Sequence, residues 1–68
     1  MKLSARNQLP GKVVAVNHGE AIANVELDVG GRRLVASITL EAATELGLEP
    51  GADVVAVIKA SDVIIAIP

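Results

Sequence analysis

The chain has 68 residues, six basic and eight acidic side chains, one histidine and no cysteine, for a formal net charge of −2. That balance argues against nucleic acid and anionic lipid as partners, whose binding usually needs a basic stripe. The missing cysteines exclude disulfides and thiolate metal sites together, and a lone His18 cannot build a structural zinc site.

The chain opens on a polar segment, Ser4-Ala5-Arg6-Asn7-Gln8-Leu9-Pro10-Gly11. Lys12 to Val16 then reads as an aliphatic strand, which Pro10-Gly11 should bend or bulge rather than occupy at its centre. The loop Asn17-His18-Gly19-Glu20 follows. Residues 21–29 alternate: Ala23, Val25, Leu27 and Val29 face one way, and Asn24, Glu26 and Asp28 the other, as in a half-buried strand. Gly30-Gly31 accepts the positive φ angles of a tight hairpin, after which Leu34, Ala36 and Ile38 resume the alternation.

Between Thr39 and Gly47 the period becomes helical. Thr39 suits the N-cap, Glu41 complements the dipole in the first turn, Leu40, Ala43 and Leu46 recur on one side, and Gly47 is a natural stop. Glu49-Pro50-Gly51 forms a turn, and two strands complete the chain, from Asp53 to Lys59 and from Asp62 to Ile67. Both of these carry apolar residues on both faces. The order strand, strand, strand, short helix, strand, strand predicts an all-β fold: a small five-stranded OB-type barrel with one short helix, filling residues 1–68 as one domain.

A domain this short buries only about 60% of its unfolded surface. Hydrophobic residues make up 51% of the chain, yet none is Phe, Tyr or Trp, so Val, Ile, Leu and Ala must build the core. Strands with two apolar faces are covered on both sides, and without disulfides or a structural metal the remaining support is self-association. A homo-oligomer joined through apolar sheet faces is therefore expected. The first residues contain no apolar run of signal-peptide length, and no stretch approaches the roughly 20 residues of a membrane span. The expected location is cytoplasmic, with no membrane partner.

The chemistry concentrates in two polar segments, the one at residues 4–11 and a second at Ile58-Lys59-Ala60-Ser61-Asp62-Val63. A tetrahedral oxyanion presents only acceptors, so its site needs many donors and no carboxylate against it. Ser4 and Ser61 offer hydroxyls, Arg6 and Lys59 cationic donors, and the turns around Ala5 to Asn7 and at Ala60 successive backbone amides. The competing explanation is that polar residues gather at strand ends because those places are wet.

The wording of both segments, SARNQL with Gly11 near the start and Lys59-Ala60-Ser61 near the end, resembles the molybdenum-pterin-binding-protein (Mop) family, the molbindins. The resemblance covers essentially the whole chain. It implies intracellular binding and storage or buffering of molybdate, or of tungstate, at subunit interfaces of a homo-oligomer, typically a hexamer. By the resemblance Ser4, Arg6, Lys59 and Ser61 contribute to the oxyanion sites, with Ala60 acting through its main chain. Arg6 would bind through guanidinium or backbone amide, and Asn7 would chiefly hold the turn, with ligand contact a lesser role. Thr39 either reaches the site from a neighbouring subunit or simply caps its helix; the cap is favoured. Molbindin-like oligomers also imply a second class of oxyanion site, for which His18, Gly19 and Glu20 are candidates, although Glu20 would repel an anion if turned inward. No organic cofactor is expected, since no aromatic or amide-rich cleft is in view to hold a pterin.

Two other functional classes compete with this reading. Arg32-Arg33 suggests nucleic acid, but adjacent strand residues point to opposite faces, and OB domains stack bases on aromatic side chains that this chain lacks. A ligand-free structural oligomer is the main alternative. Catalysis is not expected: there is no Ser-His-Asp arrangement at recognisable spacing and no phosphate loop.

Overall fold

The computed structural model describes residues 2–68. Strand β1 (Asn7–His18), β2 (Ile22–Val29) and β3 (Arg32–Thr39) run as an antiparallel meander, followed by α1 (Leu40–Glu45) and β4 (Asp53–Ile58). Strand β4 returns to β1, giving the sheet order β3-β2-β1-β4.

The alternation read from the sequence governs the packing. Ala23, Val25 and Leu27 of β2 are buried and, with Val13 and Ala43, form the fully buried apolar set of the described residues. Leu34, Ala36 and Ile38 of β3 and Val54 and Ala56 of β4 pack half-buried around it. Gly30 and Gly31 sit at φ +57° and +85°, the left-handed pair that a two-residue hairpin requires. The Asp28 carboxylate accepts from the Gly31 amide at 2.9 Å and fixes that turn.

Strand β1 is longer than expected and contains Pro10 and Gly11 in register, opposite Val55 and Val54. Proline is tolerated because residues 7–11 pair with β4 only, while the ladder to β2 begins at Lys12. The irregularity lies further along, between Val13 and Ala15. There the strand bends, and β1 serves β4 with its first half and β2 with its second. Gly11 lies at the crossover, where an added Cβ would meet the Asp28 carbonyl oxygen at 2.6 Å.

The Thr39 hydroxyl caps α1 by accepting from the Ala42 amide at 3.0 Å. Gly47, at φ +61°, reverses the chain, and the Leu48 amide donates to the Ala43 carbonyl. Leu48 rather than Leu46 therefore packs on the core; Leu46 is 69% exposed.

The main departure from expectation is at the C-terminus. Among the described residues the sheet has four strands, in place of the five expected of a barrel. After β4, Ala60–Asp62 forms a single 3₁₀ turn, and the fifth strand expected from Asp62 to Ile67 makes no ladder. Ile64, Ile65 and Ile67 are 93%, 85% and 92% exposed. Their apolar pattern is that of a strand, but a strand exists only where an edge receives its backbone groups, and one chain does not supply that geometry. Among the described residues, no helix is long and apolar enough to cross a membrane.

Candidate functional site

The two polar segments, separated by most of the sequence, meet at one end of the β1–β4 ladder. Asn7 is the Cα partner of Ile58, and its side-chain Nδ2 donates to the Ile58 carbonyl at 3.2 Å. Ser4, Ala5 and Arg6 immediately precede this closing pair, and Lys59, Ala60 and Ser61 immediately follow it. The main candidate residues are thus carried into one neighbourhood by sheet register.

Local structure keeps the donors of this neighbourhood free. Gln8 steadies the N-terminal segment by donating from Nε2 to the Ala5 carbonyl at 3.3 Å. In the 3₁₀ turn the Asp62 amide donates to the Lys59 carbonyl at 2.9 Å and the Val63 amide to the Ala60 carbonyl at 3.2 Å. The amides of Ala60 and Ser61 open that turn, so it contains no carbonyl placed to accept from them. Among the described residues, Arg6 and Lys59 make no salt bridge; the ion pairs are Lys12 with Asp53 and Arg33 with Glu26. Ser4, Arg6, Lys59, Ala60 and Ser61 are all exposed, whereas Asn7 is half-buried. The register thus brings two exposed cations, two exposed hydroxyls and the amides of a turn to one end of the ladder, with Asp62 the carboxylate of the segment. Donors of these types are those that a tetrahedral dianion requires.

The remaining candidates lie elsewhere. His18 ends β1, whereas Asn7 begins it, and 12 residues of strand separate the two groups, roughly 35 Å of extended chain before the bend. The Gly19 amide already donates to the Ile22 carbonyl at 2.8 Å. Thr39 uses its hydroxyl as the helix cap. Glu20 and Thr39 line an open groove whose other walls include Glu41 and Glu45, a setting of three carboxylates. Within one chain the structure does not join Thr39, His18, Gly19 or Glu20 to the Asn7–Ile58 end. Arg33 is occupied by Glu26, its diagonal neighbour across the β2–β3 ladder, and so forms part of a salted hairpin surface.

The TOBE-domain family model matches residues 3–65. A probable molybdenum-pterin-binding protein of Haemophilus influenzae is 46% identical over 68 residues, covering 98% of this chain and 99% of the relative. The chain belongs to the TOBE-domain family, among the molybdenum-pterin-binding (Mop) proteins. Solved structures of this family superpose closely. A molybdate-binding protein from Sporomusa ovata gives a TM-score of 0.93 at 36% identity, with 97% of this chain and 98% of that chain covered. The cytoplasmic molybdate-binding protein ModG, with molybdate bound, gives 0.95 at 48% identity; the match covers 100% of this chain and 49% of that chain. The Mop fold therefore accounts for the antiparallel sheet with one short helix, and the SARNQL and Lys59-Ala60-Ser61 segments are the parts of it that converge here.

Proposed function

We propose that this chain is a non-enzymatic cytoplasmic binder of molybdate, and of tungstate by the same chemistry, that stores or buffers the oxyanion at subunit interfaces of a homo-oligomer. The observation that supports this reading is the pairing of Asn7 with Ile58, which brings the segment that follows Ser4 and Arg6 to the end of the strand that precedes Lys59, Ala60 and Ser61. In the proposed site Lys59 and Arg6 supply charge, Ser4 and Ser61 hydroxyl donors, and Ala60 a main-chain amide. Asn7 straps the two segments together.

The candidate residues are exposed in the single chain, so enclosure of the anion falls to a second subunit. A hexamer gives each site such a neighbour. The family relatives support the ligand class: they include proteins described as binding molybdate and one described as cytoplasmic. A pterin has no part in the reading, which rests on the donors and cations of the two segments. The loop of His18, Gly19 and Glu20, together with Thr39, is a weaker candidate for a second anion site, since its groove holds three carboxylates.

The test is calorimetric titration of oxyanion-free protein with molybdate at neutral pH, with excess sulfate and phosphate as competitors. Saturable binding that survives both competitors supports the reading, and its stoichiometry counts the site classes. An intact oligomer that takes up no molybdate leaves a structural assembly instead.

A further inference from the structure

We propose that Gln8 is a positioning residue of the anion site: by holding the Ala5 carbonyl it fixes the Arg6 amide, at the other end of the same peptide plane, as a donor to the oxyanion. The inference deepens the molybdate reading above and rests on it.

A peptide unit is planar and, among the described residues, trans throughout, so a carbonyl and the amide of the next residue point in opposite directions. A donor that holds the carbonyl therefore also fixes the amide. Four carbonyls of the two polar segments are held in this way. Asn7 Nδ2 donates to that of Ile58, and the amides of Asp62 and Val63 donate to those of Lys59 and Ala60. Gln8 Nε2 donates to that of Ala5 at 3.3 Å. The amides at the far ends of these four planes belong to Lys59, Ala60, Ser61 and Arg6. A held carbonyl is also kept from turning onto an anion, which it would repel, since both are acceptors. Among the described residues no turn or loop bond uses the Arg6 amide.

Gln8 differs from the other three holders. Asn7 is half-buried, and Asp62 and Val63 donate from the main chain of the turn. Gln8 is exposed, and its bond spans only three residues. Register sets Gln8 opposite Val57, one rung inside the Asn7–Ile58 pair, so the sheet anchors its backbone. From that anchor the side chain reaches back to a segment that lies outside the ladder, where the chain bends at Ser4 and at Arg6. Consecutive strand residues project to opposite faces, and Asn7 and Gln8 divide the work accordingly. Asn7 holds the C-terminal segment, and Gln8 holds the N-terminal one. Without the Gln8 amide the Ala5–Arg6 plane is free to rotate. Binding must then order it, and that ordering is taken from the affinity.

The experiment compares the whole chain with Gln8→Met and Gln8→Glu, which keep the side-chain length and lose the amide donor. Each protein, labelled with nitrogen-15, is titrated with molybdate and followed by amide NMR spectra. Calorimetry gives the affinity, and thermal unfolding is recorded without ligand. In the unsubstituted protein the Arg6 amide is expected to shift on saturation together with those of Ala60 and Ser61. Gln8→Met should weaken binding about fivefold, as the loss of one hydrogen bond does. It should also shrink the Arg6 shift while those of Ala60 and Ser61 persist. Gln8→Glu should lose at least as much, because its carboxylate repels both the carbonyl and the anion. The thermal midpoint of Gln8→Met should stay in place, since the side chain is exposed. Unchanged affinity in Gln8→Met, or weaker binding with the Arg6 shift intact, overturns the proposal. So does a uniform loss of all three shifts with a lowered thermal midpoint, which marks a structural role. An unsubstituted chain that binds no molybdate overturns the molybdate reading and the positioning role with it; binding to which Gln8 is indifferent overturns the positioning role alone.

Discussion

Asn7 and Ile58 face each other across the β1–β4 ladder, 51 residues apart in sequence, with the Asn7 side-chain amide donating to the Ile58 carbonyl at 3.2 Å. This contact is the structural link between the two candidate anion-binding segments. Replacing Asn7 with Ala removes the strap while leaving the backbone ladder in place. The expected result is a loss of stability of about 1 kcal/mol and a weakening of molybdate binding by about tenfold, read by denaturant unfolding and by titration. A variant that loses stability but binds unchanged would confine Asn7 to a structural role.

Lys59 is exposed and makes no salt bridge among the described residues. Lys59→Met keeps much of the side-chain length and removes the charge. The expected outcome is at least about a tenfold loss of molybdate affinity, because hydrogen bonds to charged groups contribute about 1.5–3 kcal/mol. The thermal midpoint of the ligand-free protein should not move. Unchanged affinity would remove Lys59 from the site.

Ser4→Ala and Ser61→Ala each delete one hydroxyl from an exposed position. Each should weaken molybdate binding several-fold, and the double variant should lose more than either single one. The check is direct titration of all three proteins. Full affinity in both single variants would leave main-chain amides as the donors.

Thr39 separates cap from ligand. With its hydroxyl accepting from the Ala42 amide, Thr39→Ala should cost about 1 kcal/mol of stability and leave molybdate affinity unchanged. A drop in affinity at saturating stability would instead place Thr39 in a site formed with a neighbouring subunit.

Gly11→Ala tests the crossover of β1. The added methyl would meet the Asp28 carbonyl oxygen at 2.6 Å and the Val29 Cγ2 at 3.0 Å. A backbone carbonyl held in a ladder has little room to retreat, so destabilisation of about 1–3 kcal/mol is expected by denaturant titration. A neutral substitution would mean that the strands separate there at little cost.

The parts of the fold that local chemistry specifies were legible in the sequence. Alternation placed Ala23, Val25 and Leu27 in the core, Gly30-Gly31 marked the hairpin, and Thr39 and Gly47 bounded the helix. What escaped depends on partners distant in sequence. Pro10 and Gly11 hid the first half of β1, because a one-sided strand accepts residues that a central strand rejects. Leu46 matched the helical period but lies at the C-cap, where Gly47 turns Leu48 inward in its place. The arm at 63–67 carried a strand pattern whose pairing edge the single chain does not provide. For the site, residue types were readable and adjacency was not, since only the β1–β4 register brings Asn7 to Ile58.

That register also orders events in time. The β1–β2 and β2–β3 ladders close short loops, whereas Asn7 and Ile58 close one that spans most of the polypeptide. Loop-closure entropy grows with length, and contacts of long sequence separation form late. The meander can zip while β4 is still being synthesised, but Lys59 and Ser61 come to the end of the sheet that carries Ser4 and Arg6 only once β4 has joined β1. The corner where the two polar segments meet is thus the last part of the sheet to assemble.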